Sequence, residues 1–342
     1  MITSKNKYLI FWLSSGIIML YLMILVGGIT RLTESGLSMV EWHPITGILP
    51  PLSELEWNQE FIKYKNSPEG KIINTNITLE SYKFIFFWEY IHRLLGRIIG
   101  LLFIIPFVIF IYRGLINKTN YIRYLILLGL GFLQGLVGWY MVQSGLVNRP
   151  EVSHYRLALH FFLALIIINY TFWIILDLLF PNKIIIKNKK YFKSILILTL
   201  IVSLQILYGT FVAGLNAGYL WNTFPLINNH IIPFEIFSFS ENIIVHLTND
   251  LMTVQFIHRI LAIILLAYTL FLITNKHKYK LDINQNSGLN TFAYILSIQF
   301  IIGVLTLTYR IPLILGLGHQ FFGGLLISIC IYNIYISKYR ID

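Results

Sequence analysis

Four histidines are the residues of this chain best suited to chemistry: His92, His160, His258 and His319. The first and third share a context, because EYIHR around one is echoed by QFIHR around the other. Within each pair the histidines are 68 and 61 residues apart. Two histidines that face each other across a helix bundle are the usual protein ligands of a six-coordinate haem. Each half of the chain therefore offers one candidate haem clamp.

Other uses of these histidines are weaker explanations. A single histidine in an apolar helix can have no role beyond a hydrogen bond to a neighbouring helix. Four histidines in paired contexts favour a role as metal ligands. Zinc fits less well than haem, because no carboxylate or cysteine sits beside each pair to complete a tetrahedral site. His154 competes with His160, but it lies six residues earlier, about 9 Å along a helix. We interpret five histidines as non-ligating: His43, His154, His230, His246 and His277.

The two halves differ one helical turn before the first histidine of each pair. Glu89 precedes His92 by three residues, whereas Gln255 holds the matching position before His258. A carboxylate can exchange protons and an amide cannot, so we expect Glu89 to be catalytic and the first half to be the reactive site. The second half would then hold a permanent redox cofactor. The alternative is that Glu89 only pairs with Arg93 at i+4.

Arginines near the histidines could bind haem propionates, because the guanidinium fork can contact both oxygens of a carboxylate. The candidates closest in sequence are Arg93, Arg97 and Arg259, and further candidates at the outer ends of spans are Arg31, Arg156 and Arg310. Anchoring at the membrane interface is the alternative for each.

The helices that must position these residues are apolar. The chain is 342 residues long, 56% hydrophobic and 12% charged, with a single cysteine, Cys330. A helix needs roughly 20 apolar residues to cross a bilayer. Eight runs meet this need, at about 8–30, 84–112, 121–142, 156–180, 193–214, 253–274, 290–309 and 314–337. We therefore predict an all-α integral membrane protein of eight transmembrane helices, arranged as two pseudo-symmetric four-helix bundles.

Basic residues predict the orientation of these spans. Fifteen of the 26 Lys and Arg residues flank the first and last spans or lie in the loops after spans two, four and six, whereas segment 215–252 has none. By the positive-inside rule, both termini are cytoplasmic and the four histidines lie near the periplasmic side of a bacterial inner membrane. The same bias accounts for the net charge of +11, and no nucleic-acid partner is expected.

Internal similarity predicts a duplicated four-helix unit. Residues 1–182 would form an N-terminal half with a folded outer loop at 31–83, and residues 183–342 a C-terminal half with an outer loop at 215–252. Spans three, five and seven each contain a Gln-x-x-x-Gly motif, beginning at Gln134, Gln205 and Gln299. Small residues at such positions let membrane helices approach closely. Chance matches in a biased composition are the alternative.

Several segments are specific enough to resemble a known family. They are GITRLTESGLSMVEW (28–42), PPLS (50–53), WEYIHRLLGR (88–97), GWYMVQSGL (138–146) and RLALH (156–160). Together with QFIHR (255–259) and GHQ (318–320) they closely resemble the haem A synthases of the proteobacterial and mitochondrial type, over nearly the whole chain. The cysteine pair that some bacterial members carry in outer loops is missing here, so no mechanism based on a loop disulfide can operate.

The resemblance implies an oxidoreductase that converts a methyl group of haem O to the formyl group of haem A, for cytochrome oxidase assembly. It implies that His258 and His319 ligate haem b, that His92 and His160 hold the haem O iron, and that Glu89 is the essential acidic residue. The oxygen would come from water and the electrons would pass to a quinone or another acceptor. Expected partners are membrane lipid, haem O, haem A, a haem O synthase and a second copy of the chain.

Two other classes of protein stay open at this point. A di-haem b-type electron-transfer subunit would keep haem b at both clamps and would not need Glu89. A haem transporter or chaperone would bind haem without altering it.

Overall fold

The computed structural model of the chain describes residues 4–42, 47–116, 120–147, 150–185, 188–238 and 242–340. His43 lies outside these ranges. Within them the chain forms α1 (Ser4–Leu32), α2 (Glu54–Lys65), α3 (Pro68–Ile72), α4 (Leu79–Tyr112), α5 (Tyr121–Leu146), α6 (His154–Leu179), α7 (Lys189–Gly214), α8 (Ile243–Asn249), α9 (Leu251–Thr274), α10 (Lys276–Tyr279), α11 (Ile283–Thr308) and α12 (Leu313–Lys338). Two-residue strands β1 (Ile184–Ile185) and β2 (Tyr339–Arg340) pair antiparallel, and 3₁₀ turns lie at Ala217–Tyr219 and Phe234–Phe237.

Eight of the described helices are long and apolar enough to cross a membrane: α1, α4, α5, α6, α7, α9, α11 and α12. This confirms the predicted all-α membrane class and its eight spans. Two spans begin earlier than their apolar runs indicate, at Leu79 and Ile283. Thr78 caps the first of these helices, and Asp282 forms a capping box with Gln285 at the second. Polar first turns of this kind are invisible to hydropathy.

The chain divides into two compact units, one of residues 11–167 and one of residues 168–342 with the N-terminal segment up to Ile10. In the second unit α7 and α11 each pack against both α9 and α12. The four helices therefore close into a bundle.

In the first unit, polar and aromatic contacts join the spanning helices. Trp12 of α1 donates its indole N–H to the carbonyl oxygen of Leu102 in α4 at 2.9 Å. The same indole stacks on Tyr124 of α5, with ring centroids 5.8 Å apart. Arg156 of α6 donates to the carbonyl oxygen of Tyr140 in α5 at 2.7 Å. These contacts tie α1 to α4 and α5, and α5 to α6.

The segment between α1 and α4 contains two helices, α2 and α3, in its described part. Helix α2 packs on the first turns of α4 through a buried aromatic cluster that includes Tyr64, Tyr82 and Phe86, and α3 packs against α2 and α5. Gly70 lies so close to this layer that a Cβ atom on it would be 2.3 Å from the backbone oxygen of Tyr64. The loop therefore forms a packed cap over the start of α4.

A buried carboxylate lies inside this cap. Glu69 is 5% exposed and accepts a hydrogen bond from the Tyr64 hydroxyl at 3.1 Å, while Asn74 donates to that hydroxyl at 2.6 Å. Burial raises the pKa of Glu69 to about 7, and the negative charges of Glu89 and Glu34 act in the same direction.

A second polar cluster is buried in the C-terminal bundle. The Tyr191 hydroxyl of α7 donates to Asn333 Oδ1 of α12 at 2.9 Å, and Asn333 Nδ2 donates to the Gly288 carbonyl oxygen of α11 at 3.2 Å. Asn333 is fully buried. Because buried polar groups are costly unless paired, this cluster fixes how the three helices fit together.

Candidate functional site

Each of the four histidines lies with its ring against a glycine of the spanning helix before it. The pairs are His92 of α4 on Gly27 of α1, His160 of α6 on Gly138 of α5, His258 of α9 on Gly209 of α7, and His319 of α12 on Gly303 of α11. A Cβ atom added to any of these glycines would be 2.7–3.3 Å from a ring atom. A larger residue would therefore push the ring out of position.

The two histidines of the C-terminal bundle stand at a separation that suits one metal ion. The ring centroids of His258 and His319 are 6.3 Å apart and the rings are nearly perpendicular, at 83°. A metal midway between two imidazoles lies about 2 Å from each nitrogen, which puts the ring centroids about 6 Å apart. Among the described residues, no group of three or more His, Cys, Asp and Glu side chains could hold a metal. The donor set is thus two imidazoles, which fits a haem iron whose macrocycle supplies the other ligands.

The backbone of α7 also fixes the ring of His258. Its Nδ1 lies 3.1 Å from the carbonyl oxygen of Gln205. Because a carbonyl oxygen accepts hydrogen bonds, Nδ1 of His258 is the nitrogen that carries the proton. Nε2 then keeps the lone pair that can bind a metal. His319 lies next to the backbone of Gln299 in the same way, although its Nδ1 is buried without a well-formed hydrogen bond.

In the first unit His160 has a side-chain partner. Gln134 Nε2 lies 3.3 Å from Nδ1 and 3.4 Å from Nε2 of its ring, and donates to the His160 carbonyl oxygen at 3.2 Å. His92 is near enough to His160 to interact with it electrostatically. In the motifs that begin at Gln134 and Gln205, both the glutamine side chain and the glycine therefore contact the histidine of the next span.

Glu89 is buried, 3% exposed, and both its oxygens are occupied. Oε2 accepts from the Ser38 hydroxyl at 2.7 Å and from the Met39 amide at 2.8 Å. Oε1 accepts from Arg93 Nη2 at 2.6 Å and Nε at 3.1 Å. The pairing with Arg93 that sequence reasoning held as the alternative is therefore present, and it is joined to the loop after α1.

Arg93 completes this loop clamp. It donates from Nη1 to the carbonyl oxygen of Glu41 and from Nη2 to that of Met39, both at 2.9 Å. Glu89 and Arg93 together bind the segment 38–41 to α4, on the helix that carries His92.

The second unit repeats the clamp with reversed polarity. Gln255 Nε2 donates to the carbonyl oxygens of Ala217 and Leu220 at 2.9 and 2.8 Å, while its Oε1 accepts from Arg259 Nη2 at 2.8 Å. Arg259 also donates to three loop carbonyl oxygens, those of Trp221, Thr223 and Leu226. The Glu/Gln difference thus matches the loops: the first presents hydrogen-bond donors to this position and the second presents acceptors.

Two of the arginines predicted to bind propionates, Arg93 and Arg259, donate to these loop carbonyl oxygens. Arg259 is 7% exposed, and four acceptors surround its two terminal nitrogens. Arg97 lies one turn beyond Arg93 on α4. A propionate role for Arg93, Arg97 and Arg259 stays a prediction.

Two of the histidines interpreted as non-ligating, His246 and His154, contact neighbouring side chains or backbone. His246 of α8 is buried, with Nε2 2.9 Å from the carbonyl oxygen of Ile236 and 3.0 Å from the Thr253 hydroxyl. His154, the competitor of His160, lies against the ring of Tyr155, with centroids 4.0 Å apart.

Comparison with known proteins identifies the family of this chain. Residues 10–331 match the COX15-CtaA family model, described as cytochrome oxidase assembly protein. A protein named heme A synthase from Flavobacterium johnsoniae is 43% identical over 344 residues, covering 98% of this chain and 99% of the relative. Heme A synthases of Rickettsia bellii and Wolbachia pipientis are 44% and 41% identical, over 96% and 98% of this chain and 97% and 94% of their own lengths. With its eight spanning helices and paired histidines, the chain belongs to the COX15-CtaA family of cytochrome oxidase assembly proteins.

Proposed function

We propose that this protein is a haem A synthase that oxidises a methyl group of haem O to the formyl group of haem A. The observation that carries the proposal is the identity of 41–44% to heme A synthases over nearly the full length of both chains. The histidine pairs supply the support from chemistry, since each pair offers the two imidazoles that a haem iron takes up.

The proposed reaction determines how many electrons, protons and water molecules the site must exchange. Conversion of a methyl group and one water to a formyl group releases four electrons and four protons. Two successive hydroxylations at the same carbon, followed by loss of water, achieve this with oxygen from water. A quinone-class acceptor that takes two electrons at a time would be reduced twice. We assign this chemistry to residues 1–182.

His92 and His160 would hold the haem O iron, and His258 and His319 would hold haem b in residues 183–342. When bound, haem b supplies one-electron transfer between the substrate site and the acceptor. The protein contributes three features to this second site: Gly209, against which the His258 ring lies, the contact of His258 Nδ1 with the Gln205 backbone carbonyl oxygen, and the loop held by Arg259.

We retain Glu89 as the candidate acid–base residue, because it is the buried carboxylate one turn from His92. Its oxygens already accept four hydrogen bonds. A role in proton transfer therefore requires that Ser38, Met39 or Arg93 release one oxygen during turnover.

We further propose the bacterial inner membrane as the location, with both termini cytoplasmic and both haem sites near the periplasmic side. The support is the bias of basic residues towards loops on one side. The substrate would come from a haem O synthase, and contacts with lipid and with a second copy of the chain fit the exposed apolar helix faces.

The test is haem extraction from cells that make haem O but lack a haem A synthase. Cells expressing this chain are expected to accumulate haem A, and cells expressing His92→Ala or His258→Ala are not. Unaltered haem b at both sites and no haem A would favour the electron-transfer subunit. Intact haem O carried by the purified protein, again with no haem A, would favour a haem carrier.

A further inference from the structure

Two groups of lysines meet at the end of the C-terminal bundle where α7 begins and α9 ends. Asn188, the residue before α7, donates from its side chain to the carbonyl oxygen of Tyr279 in α10 at 2.9 Å. The Tyr279 hydroxyl lies 3.3 Å from the hydroxyl of Ser194 in α7. Both contacts hold α10 against the first turns of α7. The lysines that they bring together, called here the lysine cluster, are Lys189, Lys190, Lys193, Lys276, Lys278 and Lys280.

The positive charge of the lysine cluster is not neutralised within the described part of the chain. All six lysines are exposed, and none of them forms an ion pair with another described residue. The acidic residue in the adjoining sequence, Asp282, accepts a hydrogen bond from the backbone amide of Gln285 in the capping box of α11. An anion at the cluster is therefore attracted by several positive charges at once.

Exposed apolar side chains follow the lysine cluster on both helices. The Tyr268 hydroxyl of α9 donates to the carbonyl oxygen of Ser194 in α7 at 3.2 Å, so the two helices are joined directly below the lysines. The exposed apolar residues nearest to this point in sequence are Leu196, Ile197 and Leu200 of α7 and Leu270 and Phe271 of α9. A molecule bound by the lysines therefore has apolar helix surface beside it, where α7 enters the span and α9 leaves it.

We propose that the lysine cluster and the adjoining apolar surfaces of α7 and α9 form a binding site for an anionic phospholipid. The lysines contact the phosphate of the headgroup, and the acyl chains lie on the two helices. A nucleic acid or an acidic protein would match the charge but not the apolar surface. The positive-inside rule explains why lysines occur in these loops, but it does not explain why two separate groups converge on one pair of helices.

The expected strength of binding follows from the number of lysines involved. Each lysine near an anionic lipid headgroup contributes about fivefold in affinity. Removing one lysine from each group, in the double variant Lys190→Gln with Lys278→Gln, should therefore weaken binding about 25-fold. Lys190→Arg with Lys278→Arg keeps both charges and should bind as the parent does. The matched control is Lys7→Gln with Arg113→Gln, which removes the same charge from exposed residues outside the cluster.

Native mass spectrometry of the full-length protein in detergent measures the binding of single lipid molecules. The protein is titrated with phosphatidylglycerol and, separately, with phosphatidylcholine that carries the same acyl chains. We expect the parent to prefer phosphatidylglycerol by about 25-fold or more, and the glutamine variant to lose about this factor. The arginine variant and the matched control should keep the preference. Higher salt should reduce it in the parent, because salt screens exposed charges.

The soluble headgroup glycerophosphoglycerol tests the apolar part of the site. It should not displace phosphatidylglycerol even at about 100-fold excess, because it lacks the acyl chains that α7 and α9 bind. Displacement by an equal concentration would identify a site for a soluble phosphate anion and overturn the assignment to phospholipid.

Three other results also overturn the inference. They are equal affinity of the parent for the two lipids, an unchanged preference in the glutamine variant, and an equal loss in the matched control, which would show that net charge alone attracts the lipid. The lysines would then serve only to orient the protein in the membrane. Haem extraction from the same cells reports on haem A formation separately, so the lipid site and the proposed function can fail independently.

Discussion

Replacing Glu89 with glutamine should release the loop after α1. The carboxylate accepts from Arg93 on one oxygen and from Ser38 and Met39 on the other. A glutamine has one acceptor oxygen and one NH₂ group, so whichever way it turns, an N–H must face donors. Either Arg93 or the loop then loses its partner in a buried setting.

The magnitude follows from the ion pair that this change breaks. Arg93 and Glu89 form a buried pair at 2.6 Å, with side chains 12% and 4% exposed, and removing one partner of such a pair costs about 3–5 kcal/mol. Since each 1.4 kcal/mol is about tenfold in an equilibrium constant, the segment 38–41 should open at least about 100-fold more often. The Met39 amide, which donates directly to Glu89, is the reporter.

Hydrogen exchange of residues 35–42 in detergent, measured by mass spectrometry, checks this expectation. Glu80→Gln is the control, because it removes an exposed carboxylate from the same helix and should change exchange less than threefold. Gln255→Glu makes the reverse change and should loosen residues 217–220, since it sets a carboxylate against two carbonyl oxygens. Met39 exchange within threefold of the parent in Glu89→Gln would refute the clamp. If haem A formation were nevertheless lost, Glu89 would act chemically.

Three further expectations follow from the structure. Gly138→Ala should displace His160 and lower first-site haem content at least tenfold, because its Cβ would meet the ring at 2.9 Å; Gly135→Ala, with open space around it, should leave haem content unchanged. The pKa of Glu69 is raised from 4.5 to about 7 in the folded protein, so its contribution to the stability of the cap is complete below about pH 4.5. This contribution, at most about 3 kcal/mol, is lost as the pH rises through 7. Glu69→Gln should flatten this dependence in thermal unfolding followed by tryptophan fluorescence. Asn333→Leu should lower unfolding stability by about 1–3 kcal/mol in denaturant titrations, because it removes the buried hydrogen bonds to the Tyr191 hydroxyl and the Gly288 carbonyl oxygen.

The sequence was sufficient for the features that depend on local pattern. Apolar runs gave eight spans, because a bilayer imposes length and hydropathy on each helix separately. The similar segments EYIHR and QFIHR also identify, from local sequence alone, the two helices that carry His92 and His258. Helix starts were less accurate where a polar first turn extends α4 and α11 beyond the apolar run.

Contacts between distant segments were not predictable in this way. The Gln-x-x-x-Gly motifs are visible in the sequence, but nothing in their spacing indicates that the ring of His160 lies against Gly138. The loop clamp was missed because the partners of Glu89 include the backbone amide of Met39, 50 residues away. Backbone groups carry no sequence signature, so the reason for glutamate in one half and glutamine in the other emerged only from the folded loops.

The seating of each histidine on the preceding spanning helix also orders the steps of biogenesis. In every hairpin the glycine is synthesised 16–65 residues before the histidine that rests on it, so each seat leaves the ribosome before its ligand. Both members of the first pair are translated once α6 ends at Leu179, whereas the second pair is complete only 140 residues later, at His319. At about 5–20 residues per second, this leaves roughly 7–28 s in which the first pair exists without the second. Because the hairpins are synthesised in this order, the site assigned to the substrate is inserted into the membrane before the site assigned to the cofactor.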